Sequence, residues 1–454
     1  MWPFDTEDRV DPFVISSRDR DHFGQFVFPR GVLCERGIVS DDGVGGTWGF
    51  RICPPGAITT SRVARRRHGS LSPGRARPGG PGSGRRRGQA GVGGGSRPGE
   101  GPHGGVAAGV YARAMASSVA LSHGFPFDPA YGYGTPEALL TVPAPPAPDG
   151  FDAFWRERYA RARAVDTRPV LGPVEGERDG VRLHGVTYTS VGGVRLGGWL
   201  ALPTEGPVRY GFVIGHGYGG RPGPGRDLPP PLPGAAAILP CVRGMGERGR
   251  VEGIPGPADR HVLHGIGSRD TYVIGDCAAD LWCAATALTA LVPELAGAGL
   301  PDEPRLGYLG ESFGGGLGAL ALPWDDRFGA AQLTVPTFGN HPLRLTLPCA
   351  GSGEAVRAHH REHPEVANVL GYFDAATAAT RLTLPTLVAA ALFDPSVPPP
   401  GQFAVHNALA GERQLQVLTA GHFAYRGMSA EAADLDANRT RFFGERLRPA
   451  GPRR

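Results

Sequence analysis

Gly310-Glu311-Ser312-Phe313-Gly314 fits the pattern Gly-x-Ser-x-Gly. A serine on a tight turn between a strand and a helix is held in a strained conformation, and only small neighbours let the two elements pass so closely. An apolar run, Leu306 to Leu309, precedes the motif, and a small, apolar, helix-compatible run, Leu317 to Leu322, follows it. In that context the Ser312 oxygen is pushed into solvent as a nucleophile. The backbone N–H of Phe313, at the start of the new helix, is aimed at a developing oxyanion. Five letters alone carry little in a chain with 72 glycines; the strand before and the helix after carry the assignment.

A serine nucleophile needs a base, and the base needs an orienting acid. Asp394 ends an apolar run 82 residues after Ser312, and His422 follows 28 residues later, after another strand-like run. The order Ser, Asp, His is the one found when such a nucleophile sits on an α/β sheet. His422 is expected to take the Ser312 proton while Asp394 holds the other ring nitrogen and stabilises the imidazolium. Asp374 competes for the acid role, but Gly371-Tyr-Phe-Asp-Ala-Ala reads as a loop opening a helix. His341, His359, His360 and His363 come too early in the order. The second oxyanion donor should come from a loop after an early strand. His216-Gly-Tyr-Gly-Gly is that loop, and the backbone N–H of Tyr218 is the expected donor. No His-Glu-x-x-His occurs and the carboxylates do not cluster, so neither metal nor cofactor is expected.

These residues need a scaffold. Phe151, Phe154, Trp155 and Tyr159 recur at helical spacing. Residues 181–202 read as two strands turning at Gly192-Gly193. Strands are expected from Tyr210 to Gly215, Ala235 to Val242, Leu306 to Leu309, Thr386 to Phe393 and Gln414 to Leu418, with a long helix over 271–298. Strand and helix alternate, which predicts an α/β fold with a mostly parallel sheet covered by helices on both faces. The candidate residues then fall at the C-terminal ends of strands, where such sheets bind ligands.

The 454 residues include no lysine and carry a formal charge of +4. Residues 62–113 hold eleven arginines and Glu100 as their lone acid, a formal +10, so the remainder is near −6. That mildly acidic body gives no reason to expect nucleic acid. Residues 61–110 are mostly Gly, Pro, Arg and Ser and bury too little apolar surface to offset chain entropy. Residues 1–60 show no periodicity. The expected organisation is a largely disordered extension over 1–114 and a catalytic domain over 115–454, with Met115 a sensible alternative start. The six cysteines form no CxxC pair, which fits a reducing, cytoplasmic setting. The N-terminus has no signal pattern, and the longest apolar run, Leu281 to Val292, is too short to span a bilayer; no membrane partner is expected.

The chain resembles the acetylxylan esterase / cephalosporin-C deacetylase family (carbohydrate esterase family seven) over roughly residues 125–445. The likeness lies in Phe127-Asp-Pro-Ala-Tyr-Gly-Tyr, Phe151-Asp-Ala-Phe-Trp, Gly197-Gly-Trp-Leu-Ala-Leu-Pro, His216-Gly-Tyr, Arg243-Gly, Gly310-Glu-Ser-Phe-Gly-Gly-Gly, Tyr372-Phe-Asp and Phe393-Asp-Pro-Ser-Val-Pro-Pro-Pro. The resemblance implies an α/β-hydrolase that deacetylates small sugars and related esters, often as a homo-hexamer. Its nucleophile, acid and base would be Ser312, Asp394 and His422, with oxyanion amides at Tyr218 and Phe313. The chain departs from the family at Met245, Phe313 and Phe423, where Gln, Gln and Glu are usual. Ser-Phe-Gly-Gly also resembles serine peptidases of the prolyl-oligopeptidase group, although no propeller repeats are present. An aminopeptidase or amidase and a broad carboxylesterase are therefore alternatives. A non-catalytic hydrolase-like protein with a nucleic-acid-binding basic tail is a third.

Overall fold

The computed structural model describes residues 121–297 and 306–450, together with the backbone of two antiparallel hairpins, Phe13–Asp19 with His22–Phe28 and Ser40–Asp41 with Val44–Gly45. The hairpins belong to one compact unit, residues 1–101, and the remaining chain to a second. Apart from these hairpins, for which residues 1–60 carry no periodic signal, the expected extension over 1–114 lies outside the described residues.

The second unit is built on nine strands: β1 (Val170–Arg178), β2 (Val181–Thr189), β3 (Arg195–Pro203), β4 (Tyr210–Ile214), β5 (Ala235–Pro240), β6 (Leu306–Glu311), β7 (Phe328–Thr334), β8 (Thr386–Ala391) and β9 (Arg413–Leu418). Their order in the sheet is β9-β8-β7-β6-β4-β5-β3-β2-β1. The six strands from β9 to β5 are parallel; β3, β2 and β1 extend the sheet antiparallel. The β2–β3 turn is where the sequence places it, with Gly192 and Gly193 both at φ 73°. The sequence does not announce β1, a mostly exposed edge strand.

The alternation of residues along the central strands feeds two cores. Val213, Ala236 and Ile238 face one side, with helices α1 (Phe151–Arg163) and α2 (Val273–Leu291). Phe212, Ala235, Ala237 and Leu239 face the other, against Phe442 and Phe443 of α6 (Met428–Arg446). Burial on both faces is why β5 and β8 read as unbroken apolar runs. On α1, Phe151 and Trp155 are buried, and the Trp155 indole donates to the Tyr372 carbonyl at 2.8 Å. Helix α2 is apolar and long enough to cross a membrane, yet it is mostly buried inside this unit. It stops at Leu291 rather than 298 because Pro293 pushes Val292 out of helical geometry (ψ 94°).

Candidate active site

Strands β4, β6, β8 and β9 deliver the candidate residues to the same edge of the sheet. Ser312 joins β6 to α3 (Phe313–Ala321) at φ 55° and ψ −110°, a conformation that strains any residue with a Cβ. Local hydrogen bonds hold it there. The Ser312 N–H donates to the Thr334 carbonyl at 2.8 Å, while its own carbonyl accepts from Gly316 at 3.0 Å and Thr337 at 3.1 Å. Tight passage explains the surrounding glycines. A Cβ on Gly314 would lie 2.9 Å from the Gly215 carbonyl carbon and 3.0 Å from the His216 backbone, and one on Gly310 would strike Gly314 itself.

Ser312, His422 and Asp394 form one hydrogen-bonded chain. His422 Nε2 lies 2.9 Å from Ser312 Oγ, and His422 Nδ1 lies 2.8 and 3.1 Å from the two Asp394 oxygens. Because the carboxylate accepts at Nδ1, that nitrogen carries the proton and Nε2 is free to take one. His422 itself sits at φ 48°. Asp394 is fully buried, and every visible partner is a donor. Its Oδ1 accepts from the backbone of Ser396 (2.8 Å) and Val397 (2.9 Å), and its Oδ2 from the Gln402 amide (3.0 Å). Gln402, on α5 (Pro399–Ala408), also donates to the Val397 carbonyl at 2.7 Å and accepts from the Ala391 N–H at 2.8 Å. It fixes the acid to the end of β8, and its sequence position, after three prolines, gives no hint of this.

Asp374 does what its sequence context suggests. It caps the short helix Ala375–Ala379, accepting from Ala376 at 3.0 Å and Thr377 at 2.9 Å, and takes no part in the chain. Burial pushes its carboxyl up to about 6.

The loop after β4 is anchored from beneath. His216 Nδ1–H donates to the Gly217 carbonyl at 2.8 Å, and Nε2 accepts from the Val242 N–H at 3.1 Å. The Arg243-Gly turn opposite is tied down by a buried ion pair between Arg243 and Asp280 at 2.7 Å, and the Arg243 carbonyl accepts from His261 at 3.0 Å. Among the described residues, the backbone N–H groups of Tyr218 and Phe313 donate to no protein acceptor, so both are available to a ligand.

A cavity of about 500 Å³ opens over this chain, lined by Tyr218, Glu311, Ser312, Thr337, Arg344, Gly351, Ser352, Val397 and His422 among others. A larger one, about 730 Å³, lies among Asp179, Pro229, Pro231 and Asp436 and contains none of these groups; the smaller cavity is the one into which Ser312 and His422 open. The side chains of the two residues that carry these amides take different places. Tyr218 lines the smaller cavity, but the Phe313 ring is fully buried below, 4.2 Å from the Tyr218 ring and 6.0 Å from Phe338. The first residue of α3 points back under the turn, toward the core. Phe423 packs against Phe393 (5.0 Å) and Phe125 (6.1 Å), and Met245 is buried.

A nine-stranded, mostly parallel sheet covered on both faces, with a serine at the sharp turn after β6, defines an α/β-hydrolase. The acetyl xylan esterase family profile matches residues 141–435, and the chain belongs to that family; it is a carboxylic ester hydrolase. A MepB-like profile matches residues 1–69. Two solved structures share the fold. Acetyl xylan esterase 1 from Thermoanaerobacterium sp. JW/SL YS485 is 22% identical with a TM-score of 0.55, and the match covers 68% of this chain and 99% of that one. The acetyl xylan esterase from Paenibacillus sp. R4 is also 22% identical with a TM-score of 0.55, covering 67% and 99%.

Proposed function

We propose that the chain is a serine esterase that removes acetyl groups from small acetylated sugars or related esters through an acyl-enzyme. The observation that carries this reading is the unbroken hydrogen-bonded chain from Ser312 through His422 to Asp394, opening into a cavity beside two available amides. In the proposed reaction Ser312 Oγ attacks the ester carbonyl carbon while His422 Nε2 takes its proton. The oxyanion is received by the N–H groups of Tyr218 and Phe313. His422 then returns the proton to the alcohol oxygen as the C–O bond breaks, leaving acetyl on Ser312. Water attacks that ester, His422 takes the water's proton, and Ser312 leaves with a proton from His422. Asp394 keeps the ring oriented and stabilises its cationic form throughout. The four described cysteines are buried free thiols, which supports a reducing, cytoplasmic setting.

The test is turnover of nitrophenyl acetate against an aminoacyl anilide, with labelling by a fluorophosphonate. Ester turnover with the label on Ser312 is expected. Preference for the anilide would make the chain a peptidase on the same fold. Failure to label Ser312 would make the hydrogen-bonded chain a relic.

A further inference from the structure

Five arginines of the described unit are buried: Arg158, Arg221, Arg243, Arg327 and Arg344. Four of them have a carboxylate. Arg158 pairs with Asp276 at 3.2 Å, Arg221 with Asp227 at 2.6 Å, Arg243 with Asp280 at 2.7 Å and Arg327 with Asp325 at 2.6 Å. Arg344 has none. It is 5% exposed, its Nε is buried with no acceptor, and among the described residues nothing accepts from its guanidinium. Its guanidinium carbon lies over the Phe338 ring, 5.8 Å from the ring centre. An isolated buried cation is costly, and proteins pair such groups almost without exception.

The surroundings add positive potential. The guanidinium lies against Gly353, where a Cβ would strike it. Gly353 is in the first turn of α4 (Ser352–Glu362), whose N-cap, Gly351, offers no side-chain cap. A helix N-terminus carries positive partial charge and unpaired N–H groups. The acid of that turn, Glu354, is engaged elsewhere, by Arg357 at 2.7 Å and by the Cys349 N–H at 3.2 Å. Gly351, Ser352 and Arg344 all line the cavity that contains Ser312. Two acids share that cavity, Glu311 beside the serine and exposed Asp259, and neither comes within ion-pair distance of Arg344.

We propose that Arg344 and the N-terminus of α4 form an anion subsite of the Ser312 cavity, and that the preferred ester carries a carboxylate on its leaving alcohol. The guanidinium fork matches a carboxylate with two parallel hydrogen bonds, and the helix amides supply further donors. The inference rests on the esterase reading above: an acetyl group has no charge to offer, so the anion belongs to the alcohol. Arg344 is then a specificity-determining residue, remote from the bonds that change.

The experiment compares kcat/KM of the full chain for 3-acetoxybenzoate and the neutral 3-acetoxybenzamide, each normalised to its hydroxide-catalysed rate. The carboxylate is expected to be favoured by about tenfold or more. That preference should fall about tenfold in Arg344→Gln and recover in part in Arg344→Lys. The ratio is internal to each protein, so a variant that folds poorly does not distort it. Equal wild-type rates, or a preference unchanged in Arg344→Gln, would overturn the subsite. Should neither acetate turn over, the esterase reading fails, and the subsite is then judged on the wild-type chain by calorimetry with 3-hydroxybenzoate and 3-hydroxybenzamide. Tighter binding of the carboxylate by about tenfold sustains it; equal binding ends it. These wild-type measurements also decide the matter if the variants do not fold.

Discussion

The rings of Tyr218 and Phe313 pack 4.2 Å apart, joining the loop after β4 to the first residue of α3. Through this contact the side chains of the two candidate oxyanion donors brace one another. His216 and His261 complete the cage around Phe313, at 6.1 and 6.2 Å. The family's usual glutamine would place an amide among aromatic rings whose polar atoms are already engaged with other partners.

Phe313→Gln, which restores the family residue, should therefore destabilise this chain by about 1–3 kcal/mol, the cost of burying an amide without full hydrogen bonding together with lost packing. Urea unfolding of the pair measures it. A neutral or stabilising change would mean that the cage already contains room and partners for an amide.

Acyl length probes the cavity that Tyr218, Thr337 and Val397 wall. One methylene in a fitted pocket is worth about 1–3 kcal/mol, so butyrate should lose about tenfold or more in kcat/KM relative to acetate. The series nitrophenyl acetate, butyrate and octanoate decides it. A flat or rising series would favour a broad carboxylesterase over an acetyl esterase.

Ser312→Ala should lower kcat by about 10⁴–10⁶-fold with the fold intact, and His422→Ala nearly as much. The double variant should be hardly worse than either alone, because the residues share one step. Multiplicative losses would show that they do not. Retention of a tenth of the activity in pure Ser312→Ala would remove it as the nucleophile.

Gln402→Leu should slow turnover by about tenfold or more while KM changes less, because Gln402 holds Asp394 and does not itself line the cavity. The variant also orphans the Ala391 N–H and the Val397 carbonyl, at about 1–3 kcal/mol of stability. Parallel kinetics and unfolding separate the two effects. Gln402→Glu retains the acceptor for Ala391 but sets a second carboxylate beside Asp394, so it should be no better. Full activity in either variant would show that Asp394 holds its position without this residue.

Stability should decline as pH falls below neutrality. Burial depresses His216 to about 3, His341 to about 3 and His261 to about 4. His216 also needs an unprotonated Nε2 to accept from Val242. Between those values and 6.5 the unfolded chain binds more protons than the folded one, so stability present above pH 6.5 is lost on acidification. Asp374, raised to about 6, works in the opposite direction between 6 and 3.8 and offsets about one histidine. The net loss between pH 6.5 and 5 should be several kcal/mol, at about 1.4 kcal/mol per unit for each excluded proton. Urea midpoints across that range test it; a flat profile would mean that these rings are charged in the fold.

Much of the site is legible in the chain because its signals are local. Gly310-Glu-Ser-Phe-Gly between a strand and a helix, Asp394 and His422 each following a strand, and the order of the three depend on residues near one another in sequence, and parallel strands then carry them to one edge. The mostly parallel sheet follows from the same alternation. What surrounds those groups was decided only by tertiary structure. Arg344, Gln402 and Thr337 come from segments whose patterns say nothing of chemistry; the pairing of β6, β7 and β8 brings Thr337 to Ser312, Gln402 to Asp394 and Arg344 to the Ser312 cavity. The same holds for the Phe313 ring, which turns into the core because the strained turn aims its backbone, not its side chain, at the cavity. Periodicity records which face a residue takes within its own element; which distant partner it meets, or lacks, as Arg344 lacks a carboxylate, is settled by long-range packing that no short window of sequence contains.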